Sequence, residues 1–174
     1  MQTELLPPSR LSRELREDDS ADLTRRRAAI ALSFGSAAIG AIVGAYQTGI
    51  VKRLPDILPG KVFDAEKVDA SDYAYETLQQ PDGPMMLMNY GLTAMAFAAG
   101  GRDRAEQNPA LPALSTAKAG FDLALCGVLA VKEWRTNKAL CSWCQVATAF
   151  SAVTFALSLP ETVRTWRERG ALAT

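Results

Sequence analysis

Residues 28–51 read AAIALSFGSAAIGAIVGAYQTGIV, twenty-four positions without one charged side chain. A helix rises about 1.5 Å per residue, so roughly 20 residues cross a hydrocarbon core about 30 Å thick. Buried helices of water-soluble proteins seldom run this far without a charge, and the stretch therefore predicts a membrane span. Ser36, Gly40 and Gly44 recur within it every fourth position. The last two form a GxxxG step, a spacing that lets another helix approach closely in lipid without naming that helix.

The flanks are polar. Residues 1–27 hold twelve charges of both signs, ending in Arg25, Arg26 and Arg27, with Pro7-Pro8 as a break and no apolar run of signal-peptide type. This reads as a flexible polar tail, with a short amphipathic helix around residues 11–15 as the alternative. A second charge-free run, 139–160, ends on Pro160, which reads as a helix stop. Two weaker runs lie between. Residues 83–101 are free of charge and rich in methionine, and 119–131 carry Asp122 and extend back toward Lys118, which can snorkel. Each of these two also suits a core helix, but a chain that enters a membrane has to be returned. The expected fold is an all-α integral membrane four-helix bundle, with spans near 28–51, 83–101, 115–132 and 139–160. A long outer loop joins the first two helices, and 161–174 form a second polar tail. Asp122 is expected to pair with Lys118 at i, i+4, far from the cysteines.

Basic residues set the orientation. With the N-terminus inside, twelve Lys and Arg lie on the inner side and seven on the outer, which favours both termini in the cytoplasm and a multi-pass protein of the cell membrane. Nineteen basic and nineteen acidic residues and a mean hydropathy of −0.01 are then averages over two populations, apolar spans and charged tails and loops. Zero net charge gives no reason to expect nucleic acid. Histidine is absent, which excludes His-based triads, and three cysteines without histidine argue against a structural metal site.

In this orientation Cys141-Ser142-Trp143-Cys144 stands at the outer end of the last span. Cysteines at i and i+3 share a helical face and can form a disulfide with modest adjustment. Asn137 is a candidate cap for that helix. The helix N-terminus and Lys138 favour a thiolate, which makes Cys141 the expected nucleophile. The alternative is a pair of small buried hydrophobes, which is also the expectation for Cys126 inside the third span.

Four spans, a long first loop and a CxxC opening the fourth span resemble the vitamin K epoxide reductase family. Tyr46-Gln47-Thr48-Gly49-Ile50, Lys67-Val68-Asp69-Ala70-Ser71 and Pro81-Asp82 are similar to family segments at the end of the first span, in the loop and at the start of the second span. The resemblance runs from about residue 28 to 160 and implies a membrane thiol oxidoreductase linked to a quinone, either vitamin K-type or ubiquinone. It implies that a thioredoxin-like redox protein attacks the outer sulfur, Cys141, and that Cys144 faces the quinone. Asp82 and Thr148 stand at the implied quinone contacts, with Asn89, one to two turns beyond Asp82, as a substitute, and Tyr73, Tyr75 and Leu78 are candidate lid residues or else part of a solvated amphipathic loop helix. The chain departs from the family in having no cysteine at 52–82, where Asp64, Ala65 and Glu66 occupy that neighbourhood. It also has Asp82 where members carry asparagine and Thr148 where some carry tyrosine. Expected partners are membrane lipid, a quinone and the redox protein, with neither metal nor nucleic acid. A non-catalytic membrane scaffold with a static disulfide is the alternative.

Overall fold

The computed structural model describes residues 7–172, with side chains described through Arg167. The outermost residues of both expected tails, 1–6 and 173–174, lie outside the described residues. In chain order the helices are α1 (Pro8–Glu17), α2 (Ala21–Gln47), α3 (Ala65–Asp69), α4 (Asp82–Ala98), α5 (Arg104–Gln107), α6 (Ala110–Asn137) and α7 (Ser142–Leu172). Among the described residues there is no strand, only a parallel bridge between Phe63 and Leu140.

Three helices are long and apolar enough to cross a membrane: Ala21–Gln47, Ala110–Asn137 and Ser142–Arg167. Their side chains are sorted for lipid. Phe34, Met95, Leu114, Phe121 and Val128 are exposed, whereas Ser33, Ser36, Ser115, Ser151, Thr154 and Ser158 are buried between helices. In water so much exposed apolar surface would be a liability, but in a bilayer the helices pack through small residues. The chain is a membrane protein.

The N-terminal segment forms a helix, Pro8–Glu17, which is the alternative reading of its sequence, longer than expected, rather than the flexible tail. Pro8 opens α1, because the amide proline lacks would have been unsatisfied at a helix start anyway. Arg27 Nε ties α1 to α2 through the Leu15 carbonyl at 2.9 Å. Ser20 caps α2 by accepting the Leu23 amide at 3.4 Å, so this helix begins before the charge-free run.

The GxxxG step meets the start of α4. A Cβ on Gly83 would lie 2.3 Å from the Gly44 backbone nitrogen, and one on Gly40 would lie 2.7 Å from the Leu87 nitrogen. Both obstacles are backbone, which no rotamer change relieves. Gly83→Ala is therefore expected to cost at least about 1–3 kcal/mol. At Gly91 a new Cβ meets nothing within 4 Å, so Gly91→Ala should be neutral or mildly stabilising. Thermal denaturation of the two variants in one detergent checks this, and equal losses would contradict the crossing.

At the other end of α4 the chain turns through Gly100 at φ +80°. The helix leaves carbonyls there without intrahelical donors. Arg26 donates to Phe97, Ala99, Gly100 and Gly101 at 2.8–3.0 Å. Arg104 Nη1 donates to Ala99 O at 2.9 Å, and its Nε and Nη2 grip Glu161 at 2.8 Å each. This grip corrects the reading of Pro160 as a stop: proline stands inside α7, which continues to Leu172. Proline removes one backbone bond, and tertiary ties just beyond it replace that loss. Besides Glu161, the Thr162 hydroxyl donates to Pro112 O at 3.0 Å.

Candidate functional site

The connection between α2 and α4 folds over the start of α7. Asp64 caps α3 by accepting the Lys67 amide at 3.1 Å, and two 3-10 turns, Asp72–Tyr75 and Thr77–Gln79, follow. Asp64 N donates to Leu140 O at 3.0 Å, and Leu140 N to Val62 O at 2.8 Å. Asp56 accepts the Ala65 amide at 3.2 Å and the Ser142 amide at 3.4 Å. Trp143 Nε1 donates to Pro55 O at 3.0 Å. One stretch of loop thus holds the CxxC turn at several points.

Cys141 itself, not Asn137, caps the last helix. Gln145 N donates to Cys141 O at 3.1 Å, and Cys144 N donates to Cys141 Sγ at 3.3 Å, the bond an N-cap side chain makes to N3. Asn137 ends α6, and Lys138 turns the chain at φ +52°. Glu133 holds the turn from the α6 side, accepting the Cys141 amide at 2.6 Å and Gln145 Nε2 at 3.3 Å.

The two thiols occupy different settings. Cys141 is fully buried, at 0% exposure, whereas Cys144 is half-buried and opens onto a cavity. Attack at Cys141, as the resemblance implies, needs an accessible sulfur, and here the loop that packs on the start of α7 leaves it buried. Both sulfurs and an Asp69 carboxylate oxygen lie within 4.8 Å of one another. Burial pushes the Asp69 carboxyl up to about 7. Its Oδ2 is buried without a hydrogen-bond partner.

The cavity has a volume of about 440 Å³ and lies among α4, α6, α7 and the loop. Its walls are mostly apolar, with Met86, Leu92, Leu125, Leu129 and Ala147 among them, and they carry four carboxyl side chains, Asp69, Asp82, Asp122 and Glu133. Asp82, Asn89 and Thr148 all line it together with Cys144, so the structure brings these sequence-predicted residues to one space while Cys141 sits behind Cys144. Their hydrogen bonds limit what each can offer. Asp82 Oδ1 accepts from Gln47 Nε2 at 2.6 Å. The Thr148 hydroxyl donates to Cys144 O at 2.9 Å, which commits the proton it was expected to give. Asn89 Nδ2 donates to Asp122 at 2.9 Å, and its Oδ1 accepts from Lys118 at 3.1 Å.

Asp122 also lines this cavity, on the same helix as Glu133 but about three turns before it. Its pairing with Lys118 at 2.5 Å is the expected one, and Thr93 adds a hydroxyl at 2.6 Å. Cys126 packs as anticipated, against Tyr90 Oη at 3.2 Å, and forms part of the cavity wall. Of the three candidate lid residues only Tyr73 reaches the cavity, its hydroxyl donating to Leu129 O at 3.2 Å. Burial raises its phenol above the ordinary range. Tyr75 instead donates to Gln47 O at 2.9 Å, and Leu78 is 78% exposed.

Sequence reasoning assigned no role to Asp69 or Glu133. Asp69 falls in the loop stretch that resembles the family, but nothing in its spacing places it against residues 141–144. Glu133 carried one usable signal, an acid eight residues before Cys141 and near the end of a predicted helix.

No curated protein and no solved structure matches the chain at a significant level. The sequence model of the Vitamin K epoxide reductase family, a family of membrane thiol oxidoreductases, matches residues 27–159. That region takes in α4, α6, the CxxC turn and the cavity, together with most of α2 and of α7. The chain therefore belongs to the vitamin K epoxide reductase family.

Proposed function

We propose that this protein is a quinone-dependent thiol–disulfide oxidoreductase in which Cys141 and Cys144 interconvert between dithiol and disulfide. The observation that carries the reading is the placement of Cys144 on the wall of a mostly apolar cavity of about 440 Å³. Such volume and lining suit a flat ring held by a few polar groups. When bound, a quinone of the vitamin K or ubiquinone type supplies a two-electron, two-proton acceptor. Asn89 orients its head group, Asp82 contributes a donor when protonated, and Thr148 holds the backbone of Cys144 rather than the ligand.

In this reading α2, α4, α6 and α7 form a four-helix transmembrane bundle. At 17 residues α4 is about 25 Å long, and it crosses with its C-terminal carbonyls held by Arg26 and Arg104. Both termini lie in the cytoplasm, and the CxxC lies at the outer face of the cell membrane. The loop that folds over α7 lacks cysteine, and Ala65, fully buried near Cys141, carries no thiol to relay electrons. A thioredoxin-like partner therefore reaches Cys141 directly, after the segment around Phe63 lifts from Leu140. The full burial of Cys141 favours a second reading, a scaffold with a static pair.

Thiol trapping in native membranes separates the two. Maleimide labelling of Cys144 is expected to fall after addition of a short-chain ubiquinone or menadione and to return after reduction. Labelling that stays constant under every condition would establish the static pair.

A further inference from the structure

Disulfide formation removes two protons as well as two electrons, and neither cysteine has a histidine to take them, since the chain has none. Asp69 ends α3 directly beneath the CxxC turn. It is 1% exposed, one of its oxygens has no hydrogen-bond partner, and its carboxyl faces the Cys141 thiol. A buried carboxylate with nothing to neutralise it is costly, unless a proton moves on and off it. We propose that Asp69 is the proton carrier of the Cys141–Cys144 pair.

The proposal rests on the reading that these cysteines exchange between thiol and disulfide. In the oxidising direction Asp69 takes the proton of Cys141, breaking its S–H bond and forming a carboxyl O–H. The Cys141 thiolate then closes on Cys144 to form the S–S bond. The electron pair and the Cys144 proton leave to an acceptor of the quinone class, and Asp69 releases its proton as the second of the two. In the reducing direction a dithiol partner attacks Cys141 and Cys144 leaves as the thiolate, and Asp69 protonates Cys141 when the partner's second thiol releases it from the mixed disulfide.

The surroundings favour this role. Asp82 from α4 and Asp56 from the loop act on Asp69 as like charges, and Glu133 from α6 adds to the acidic field. Tyr46 from α2 and Tyr73 and Tyr75 from the loop lie in the same field, and no cation is among the groups that shift the Asp69 carboxyl. The lysine on the cavity wall, Lys132, pairs with Glu76. A carboxyl poised at about 7 can therefore both accept and return a proton near neutrality.

The test uses the full chain in lipid nanodiscs, reduced and then mixed with diamide, a small dithiol oxidant that involves no quinone. Disulfide closure between residues 141 and 144 is followed by acid quench and peptide mass spectrometry from pH 5 to 9. The wild-type rate should rise with pH through an inflection near 7, as the Asp69 carboxylate forms. Asp69→Asn should lose that inflection and slow closure by about 10²-fold at pH 7.5. Asp69→Glu should keep the inflection at a reduced rate, which covers the case in which Asp69→Asn does not fold. Glu133→Gln should retain it as well. An inflection kept in Asp69→Asn, an unchanged rate in Asp69→Glu, or an inflection lost only in Glu133→Gln would overturn the proposal. Closure that depends on Asp69 in a protein that never reduces a quinone would sink the quinone reading and leave this one standing.

Discussion

Replacing Cys144 with serine is expected to bring quinone reduction by this protein to background, a loss of at least about 10³-fold. Removing one of the two sulfurs that form the disulfide costs this much or more, because no neighbouring group takes over its bond-making. The remaining thiols are poor substitutes. Cys141 is fully buried behind the helix start. Cys126 shares the cavity wall, but it belongs to α6 and packs on Tyr90 and Ser151. Hydroquinone formation measured anaerobically with reduced protein checks the expectation. The variant should keep the wild-type melting temperature within a few degrees, since serine preserves the shape of the site. Quinone reduction surviving in Cys144→Ser would move the chemistry to another group.

The largest effect on stability is expected from Arg104→Ala. Arg104 and Glu161 meet in a bidentate pair with side chains 1% and 5% exposed. Breaking a buried pair from one side strands the other charge and typically costs about 3–5 kcal/mol. The substitution also withdraws donors from the last carbonyls of α4. Arg104→Lys should recover only part of the loss, because one ammonium cannot match two parallel hydrogen bonds. Replacing both partners with apolar residues, Arg104→Met with Glu161→Leu, should be less damaging than Arg104→Ala alone, since no charge is stranded. Apparent melting temperatures in one detergent give the comparison, and additive losses in the double variant would contradict a coupled pair.

Much of the fold was legible because charge-free length is a direct physical requirement of lipid. Residues 28–51 and 139–160 satisfied it without reference to any partner. The GxxxG step was legible as a packing surface, but its neighbour was not, since only the folded chain brings Gly83 against Gly44. Three features escaped because tertiary contacts overrode local signals. Pro160 does not end α7 while Glu161 is gripped by Arg104. Residues 8–17 form a helix that Arg27 ties to α2, where composition favoured a flexible tail. Arg26, which reads in sequence as one of three topological charges, spends its guanidinium on the carbonyls that end α4.

The site divides in the same way. Cys141 and Cys144 stand out as candidates from their spacing at a helix start, and Asp82, Asn89 and Thr148, proposed beside them, line one cavity with Cys144. The different accessibilities of the two sulfurs were not legible, because burial of Cys141 depends on a loop whose pairing with Leu140 has no periodic signature. Asp69 was hidden for the same reason: its seventy-odd residues of separation from Cys141 vanish only on folding.

If the Cys141–Cys144 pair delivers its electrons to a quinone held beside Cys144, hydroquinone formation must keep step with thiol loss. A single-turnover experiment tests it most directly. Fully reduced protein in lipid nanodiscs is mixed anaerobically with a stoichiometric short-chain ubiquinone or menadione. Hydroquinone absorbance is recorded alongside the alkylation state of residues 141 and 144. One hydroquinone formed per chain, in step with loss of both thiols and appearance of the 141–144 disulfide, is the predicted result. Thiols that persist while no hydroquinone forms, with either quinone, would contradict it.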